Sequence, residues 1–405
     1  MLRNIVIVSD WCYVYGGASD VAINSAVALT NDYNVYFFSA IAPIDHRLID
    51  AGVQVVCLGK KDILNDPNRL RATIKGLFDI SSYKIFYKLL KTVDRRETIV
   101  HFHTWTNGLS SSLFYATKKL NFAVVITMHD YFIFCPNGGL FNFKKNIICD
   151  KRPMSIACMR CNCDYRSYPQ KIWRCLRQYI QNKLIWKNRH LTIIAISTIT
   201  YDICSAFLKQ KINVKLIADP LSLEIREPRT LNVNGYYIYI GRLTPIKGPE
   251  LFCRALSDMH LKGVVLGDGY LFDELKNKYP DITFVGWKSG KEKEQFIRGS
   301  KALIFPSVGY ETFGLAVAEA KTYGIPCIVP KQSAANEQIQ EGMSGYTFDT
   351  GSLRSLKDAI KKYEEADILK MQKYIIDHFD LDSYTIESHV QSLKILYNNI
   401  LDKLN

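Results

Sequence analysis

Short apolar runs of strand length recur along the chain, separated by stretches long enough for a helix. In the first half they are IVIVS (5–9), VYFFSA (35–40), VQVVCL (53–58), TIVHFH (98–103), AVVITM (123–128), LTIIAIS (191–197) and VKLI (214–217). Strands joined by helix-length crossovers predict a parallel sheet, since parallel neighbours cannot be connected by a tight turn. Residues 221–235, LSLEIREPRTLNVNG, are polar, contain Pro228 and lack a period, so they read as a linker. A second set follows: YYIYI (236–240), KGVVLG (262–267), ITFVG (282–286), KALIFP (301–306) and PCIVP (326–330). The expected fold class is α/β, with two Rossmann-like domains, 1–220 and 236–383, facing each other across a cleft at the carboxyl ends of both sheets. Residues 384–405 come after the second sheet is complete and read as a helix that can return to the first domain.

A chain of 405 residues with 48% apolar content can bury two cores. No run approaches the roughly 18 apolar residues of a spanning helix. The N-terminal MLRNIVIVSD lacks a cleavage site of small residues, so the expected location is the cytoplasm. The net charge of +13 is one-sided: residues 1–190 hold 26 Lys and Arg against 13 Asp and Glu, and the rest are balanced at 26 and 26. A polarised positive field suits lipid headgroups, nucleic acid or phosphate-bearing substrates.

Candidate chemistry falls where strands hand over to helices. After IVIVS, Gly16 and Gly17 form a turn before an apolar-spaced helix, where a phosphate or sugar can approach backbone amides; a plain turn is the alternative. After YYIYI come Gly241, Arg242 and Lys247, a fork and a point charge able to neutralise a diphosphate, or simply two solvated side chains. After KALIFPS, Glu311 precedes a helix whose tip offers the amides of Gly314 and Leu315 to a phosphate. Glu319, a turn further in, can accept two hydrogen bonds from a ribose diol, while Glu311 can reach a sugar beyond the phosphates.

The ordered set of Glu311 and Glu319 in an E-x7-E pair, G-R-L-x-x-x-K-G (Gly241 to Gly248), G-D-G (Gly267 to Gly269), F-x-G-W (Phe284 to Trp287) and EAKTYGIPCIV resembles the family 4 retaining glycosyltransferases of the GT-B fold. The resemblance covers most of the chain and is strongest over 236–349. It implies that Glu311 contacts the donor sugar and Glu319 the nucleotide ribose. Arg242 and Lys247 would bind the diphosphate, Gly16 and Gly17 would close on it, and the backbone near Trp287 would hold the base. The family's T-x-H-D segment reads Thr127-Met128-His129-Asp130 here, which would set His129 against the reacting sugar; a hydrogen-bonded loop histidine is the alternative. His103, ending another strand, belongs either to packing or to the acceptor side. With cations and helix-tip amides meeting the leaving diphosphate, no cofactor is expected for the chemistry. Asp380-Leu381-Asp382 lies outside any strand-end context and is discounted as a metal motif.

A cysteine-rich insertion, about 131–168, holds five of the eleven cysteines. Cys158-x-x-Cys161 has knuckle spacing, making Cys135, Cys149, Cys158 and Cys161 candidate ligands of a structural zinc, with free thiols in a packed loop as the alternative. Residues 69–96 and 169–189 mix basic and apolar residues at helical spacing. They read either as ordinary amphipathic helices or as a face resting on anionic lipid, with Lys171, Arg174, Arg177 and Lys183 presenting the charge.

The expected activity is therefore retaining transfer of a sugar from a nucleotide-sugar donor to a glycan acceptor, itself carried on a lipid, in surface polysaccharide (O-antigen, capsule or lipopolysaccharide) assembly. The expected place is the inner face of the cytoplasmic membrane. Two alternatives are a basic nucleic-acid-binding protein with a cysteine knuckle, disfavoured because no nucleic-acid module is recognisable, and a GT-B epimerase or phosphorylase.

Overall fold

The uninterrupted apolar runs form strands buried on both faces, as a parallel sheet covered by helices requires. The computed structural model describes residues 2–208, 212–221, 232 and 234–403. Most of the stretch read as a linker, 222–231 and 233, and residues 209–211 and 404–405 lie outside the described residues. The first domain carries β1 (Asn4–Trp11), β2 (Asn34–Ile41), β3 (Gln54–Cys57), β4 (Thr98–Phe102) and β5 (Ala123–Thr127). The chain then leaves the sheet for a small antiparallel ribbon, β6 (Phe141–Asn142) and β7 (Ile147–Ile148), before β8 (Leu191–Ala195) and β9 (Asn213–Leu216). The sheet order is β3-β2-β1-β4-β5-β8-β9, and every pairing in it is parallel.

The second domain repeats this plan with β10 (Tyr236–Ile240), β11 (Gly263–Leu266), β12 (Thr283–Gly286), β13 (Ser300–Ile304), β14 (Cys327–Pro330) and β15 (Gly345–Phe348), in the order β12-β11-β10-β13-β14-β15. In both sheets the first strand lies inside and the order reverses beside it, which opens a crevice at the carboxyl ends of the strands. Alternate β1 residues feed two cores: Val6 and Val8 pack with Val100 and Phe102, Ile5 and Ile7 with Ile99 and Val125.

The helix Ile386–Asp402 lies on the first domain. Its Leu393, Tyr397 and Leu401 join the core of Ile5 and Ile7, the Tyr397 hydroxyl lies 2.6 Å from His101 Nδ1, and Lys394 pairs with Asp32 at 2.9 Å. The domains also touch directly. The Glu337 carboxylate accepts from the amides of Thr198 and Ile199 at 2.9 and 2.8 Å, placing a negative charge at the positive end of the helix Thr198–Phe207. The cysteine-rich insertion also reaches the second domain, with the Tyr165 ring 5.0 Å from that of Tyr270, the residue after the G-D-G turn.

The helix Tyr168–Ile185 corrects the expectation for its basic residues. Lys171 is wholly buried with Nζ 3.6 Å from Cys158 Sγ, and Arg174 pairs with the buried Asp164 at 3.3 Å. Arg177 is buried between the rings of Phe132 and Trp173, donates to the Thr106 carbonyl at 3.1 Å, and has its pKa lowered by burial to about 10. These three charges face inward, because their long stems fill the space beneath the insertion; of the four, Lys183 alone is exposed.

Candidate active site

Two turns bring the second domain's charged groups to the cleft. Lys247 ends a short 3₁₀ turn after β10, and Gly248 reverses the chain at φ 64° so closely that a Cβ there would lie 2.0 Å from the Pro306 carbonyl oxygen. After β13 the chain passes Ser307 and Glu311, then turns into the helix Leu315–Thr322 through Gly314 at φ 93°. A side chain at Gly314 would be strained by that φ and would press on Ala335, its Cβ 2.9 Å away.

These turns put Lys247 Nζ 2.8 and 2.7 Å from the two oxygens of Glu311, and the Ser307 hydroxyl donates to the same carboxylate. Glu319, one turn inside the helix, is held in the same way by Lys293 Nζ at 2.6 Å to each oxygen. Both glutamates thus carry a lysine counter-ion. Arg242 is exposed at the tip of β10, and Trp287 is exposed just beyond β12.

From the first domain the helix Gly17–Leu29 points its amino end at this loop. The Ser19 hydroxyl accepts from the amides of Tyr15 and Gly16 at 2.8 and 3.1 Å and donates to the Gly16 carbonyl at 2.9 Å, fixing the turn. Gly16 has extended backbone with open space around it. At Gly17 the need is for room: a Cβ would lie 2.8 Å from Leu315 Cδ1, so the amino ends of two helices meet across the cleft. Their positive ends and free amides converge on one place.

His129, one residue past Met128 at the end of β5, forms the first domain's other wall, and the Thr312 hydroxyl donates to its carbonyl at 3.1 Å. Its Nδ1 lies 3.1 Å from Asp219 Oδ2 and its Nε2 2.9 Å from Nδ1 of His103. Burial holds His103 well below the usual histidine range, so its ring is neutral. Because His103 is neutral, one of the two facing ring nitrogens of His103 and His129 donates and the other accepts. His103 Nε2 and Asp219 Oδ1 are buried without a hydrogen-bond partner among the described residues. Burial also pushes the neighbouring Asp130 carboxyl up to about 6.

The four candidate zinc ligands do not assemble. Cys135 Sγ faces Asn137 Oδ1 at 3.0 Å, Cys158 faces Lys171, and all the cysteines are free thiols. Among the described residues no three His, Cys, Asp or Glu side chains form a metal-holding group.

Sequence reasoning missed Lys293, Asp219 and Ser307, and it missed Asp10. This residue ends the apolar run IVIVSD, is wholly buried, and accepts four amides: Thr106 and Asn107 on one oxygen at 2.8 and 3.0 Å, Gly108 and Leu109 on the other at 2.8 Å each. A carboxylate closing a buried strand with no cation nearby in sequence was the available signal.

Residues 224–378 match the family described as Glycosyl transferases group 1. A UDP-Gal:alpha-D-GlcNAc-diphosphoundecaprenol alpha-1,3-galactosyltransferase of Escherichia coli is 23% identical over 175 residues, 40% of this chain and 44% of that protein. A GDP-mannose-dependent alpha-mannosyltransferase of Corynebacterium glutamicum is 30% identical over 111 residues, 27% of each chain. The matches thus span less than half the length of either relative. The crystal structure of Anabaena HepE in complex with UDP and glucose superposes with a TM-score of 0.66 at 12% identity, covering 98% of this chain and 100% of that one. The fold is that of the GT-B glycosyltransferases.

Proposed function

We propose that this protein is a retaining glycosyltransferase of the family 4 type, moving a sugar from a nucleoside-diphosphate donor to a glycan acceptor on a lipid carrier in polysaccharide assembly. The observation that carries the reading is the meeting of two helix amino ends, at Gly17 and at Gly314–Leu315, beside the Lys247–Glu311 pair. Cleavage of the donor leaves negative charge on a diphosphate. Free amides, Lys247 and Arg242 are positioned to stabilise that charge without reorganising, so the chemistry needs no divalent cation. Donor binding draws Lys247 from Glu311 to the phosphates and frees the carboxylate for the sugar; Glu319 trades Lys293 for the ribose diol. His129, held by Asp219, lines the sugar side. In the names of the relatives, a diphosphoundecaprenol-linked acceptor supports the lipid-linked substrate.

A thermal-shift screen of UDP, GDP and ADP in EDTA tests the donor site. One nucleotide at 100 times its dissociation constant is expected to stabilise the fold by about 2.7 kcal/mol, and transfer from its sugar is expected to persist in EDTA. No stabilisation by any of them, or a strict need for magnesium or manganese, overturns the reading.

Membrane attachment at the first domain belongs to the same proposal. No helix among the described residues is long and apolar enough to cross a membrane. The helices Arg69–Leu77 and Tyr168–Ile185 lie together, Trp173 Nε1 donating to the Thr73 carbonyl at 3.2 Å. Leu70 and Ile74 on one, and Ile172, Leu176 and Tyr179 on the other, are exposed at helical spacing, with Arg69, Arg71 and Lys183 also exposed. Replacing Leu176 and Tyr179 by Ser together with Lys183→Gln is expected to weaken binding to anionic vesicles about tenfold, read by co-sedimentation. Equal sedimentation with neutral vesicles overturns the electrostatic part.

A further inference from the structure

On the β3 side of the cleft the first domain holds a second cavity of about 290 Å³ that the donor reading does not use. Its floor is Gly108 and Leu109, whose amides are fixed by Asp10 at the end of β1, the strand that leads into the Gly16–Gly17 turn. Its walls are the loop after β3 and the helix Arg69–Leu77, so it opens on the same carboxyl rim of the sheet as the cleft.

The lining is ionic: Lys60, Lys61, Arg71 and Lys75 against Asp66 and Asp79. Both acids are already engaged. Arg71 bonds Asp66 through Nη2 at 2.8 Å and Nε at 3.2 Å, and Lys60 Nζ lies 2.5 Å from Asp79 Oδ2, within reach of the Ser81 and Ser82 hydroxyls at 2.9 and 2.7 Å. Lys61 and the half-buried Lys75 form no ion pair within 4.0 Å among the described residues, though Lys75 also acts on Asp66, so four cations face two carboxylates and the lining keeps an excess of two positive charges. Concentrating cations in a recess, with their neighbours held in place by fixed ion pairs, favours a compact polyanion over water. The helix that supplies Arg71 and Lys75 also exposes Leu70 and Ile74, 72% and 58%, on an adjoining face, and Leu64 in the loop before it is 50% exposed. A cationic recess whose wall helix also exposes aliphatic side chains matches a ligand that is anionic at one end and hydrocarbon at the other.

We infer that this cavity receives the phosphate or diphosphate joining the acceptor glycan to its lipid, which rests on the lipid-linked acceptor reading above. Lys61 and Lys75 supply the free positive charge, Lys60 and Arg71 hold the walls, and the lipid leaves over Leu70 and Ile74 towards the exposed apolar stripe of the neighbouring helix. The acceptor sugar then extends from the recess to the cleft, past the end of β1.

The test uses the full chain and the double variant Lys61→Glu with Lys75→Glu. With the donor site saturated by the nucleotide found in the thermal-shift screen, calorimetry with inorganic pyrophosphate is expected to show one further site in the native protein and none in the variant. In neutral detergent micelles, KM for GlcNAc-diphosphoundecaprenol is expected to rise about tenfold or more, the loss of one or two charge-assisted contacts, with kcat within about twofold. Unchanged nucleotide affinity and melting temperature certify the variant's fold. If KM changes only when the acceptor is presented in anionic vesicles, the recess reads membrane headgroups and the proposal fails; it fails too if KM stays constant in both settings. Should the native protein transfer sugar to free glycans but to no lipid-linked one, the acceptor reading itself is what falls, independently of the variant.

Discussion

Glu311→Gln is expected to lower kcat about a hundredfold or more while leaving the nucleotide bound as tightly as before, or more tightly. The carboxylate is assigned to the donor sugar, where loss of one preorganised electrostatic contact in a water-poor site costs about two to three powers of ten in rate. The effect on the ground state has the opposite sign. In the ligand-free protein Lys247 Nζ is held by both Glu311 oxygens at 2.7 and 2.8 Å, so the carboxylate competes with phosphate for that ammonium. Gln keeps the shape and the Ser307 contact but carries no charge, and Lys247 is released to the donor. Lys247→Ala provides the contrast, because it removes a phosphate ligand and leaves the Glu311 carboxylate without its counter-ion; nucleotide affinity is expected to fall about tenfold or more. Steady-state kinetics with calorimetric titration of the nucleoside diphosphate separates the two. Normal turnover with weakened nucleotide binding in Glu311→Gln would reverse the assignment.

What the sequence made legible follows from how each feature is built. Runs such as AVVIT are buried at every position because helices cover both faces of the sheet, and such strands announce themselves without any periodicity. The sequence GYTF of β15 did not, since Gly345 and Thr347 alternate with two aromatics in a segment of only four residues. The ribbon β6–β7 pairs only two residues on each side, too few to leave a pattern. At the site, Glu311, Lys247 and Gly17 could be picked out because each stands at a strand-to-helix turn, and His129 through the T-x-H-D segment at the end of β5. Their pairings could not: the partners of Glu319 and His129, Lys293 and Asp219, are 26 and 90 residues away. His103 was nearer to legible, as it and His129 follow the ends of the neighbouring strands β4 and β5. The buried cations were misread because spacing alone treats every Lys and Arg on an amphipathic helix as solvent-facing. Arg177 breaks that rule through the Thr106 carbonyl and the Phe132 ring, both supplied by other elements, and the Trp173 ring one turn back on its own helix.

Asp10→Ala is expected to have the largest effect on stability, about 4 kcal/mol or more, because it strips four buried amides of their acceptor at once. The loop 106–109 has no other obvious way to pair those donors: all four point at the two oxygens of one side chain, at 2.8 to 3.0 Å. Burial raises the Asp10 carboxyl pKa although the four N–H groups oppose it, and with two donors on each oxygen the geometry is that of an acceptor-only carboxylate which gives the loop its shape. Asp10→Asn conserves volume and one carbonyl oxygen, but turns an NH2 towards two of the donors; it is expected to cost about half as much. Urea unfolding followed by circular dichroism reads both, with midpoints compared at constant slope. The same loop is the floor of the basic cavity and continues from His103, so the Asn variant, if it folds, is expected to lose acceptor affinity as well as stability. An Asp10→Ala midpoint within about 1 kcal/mol of the native protein would mean that water or a rearranged backbone satisfies the four amides, and that the carboxylate is not what shapes this side of the cleft.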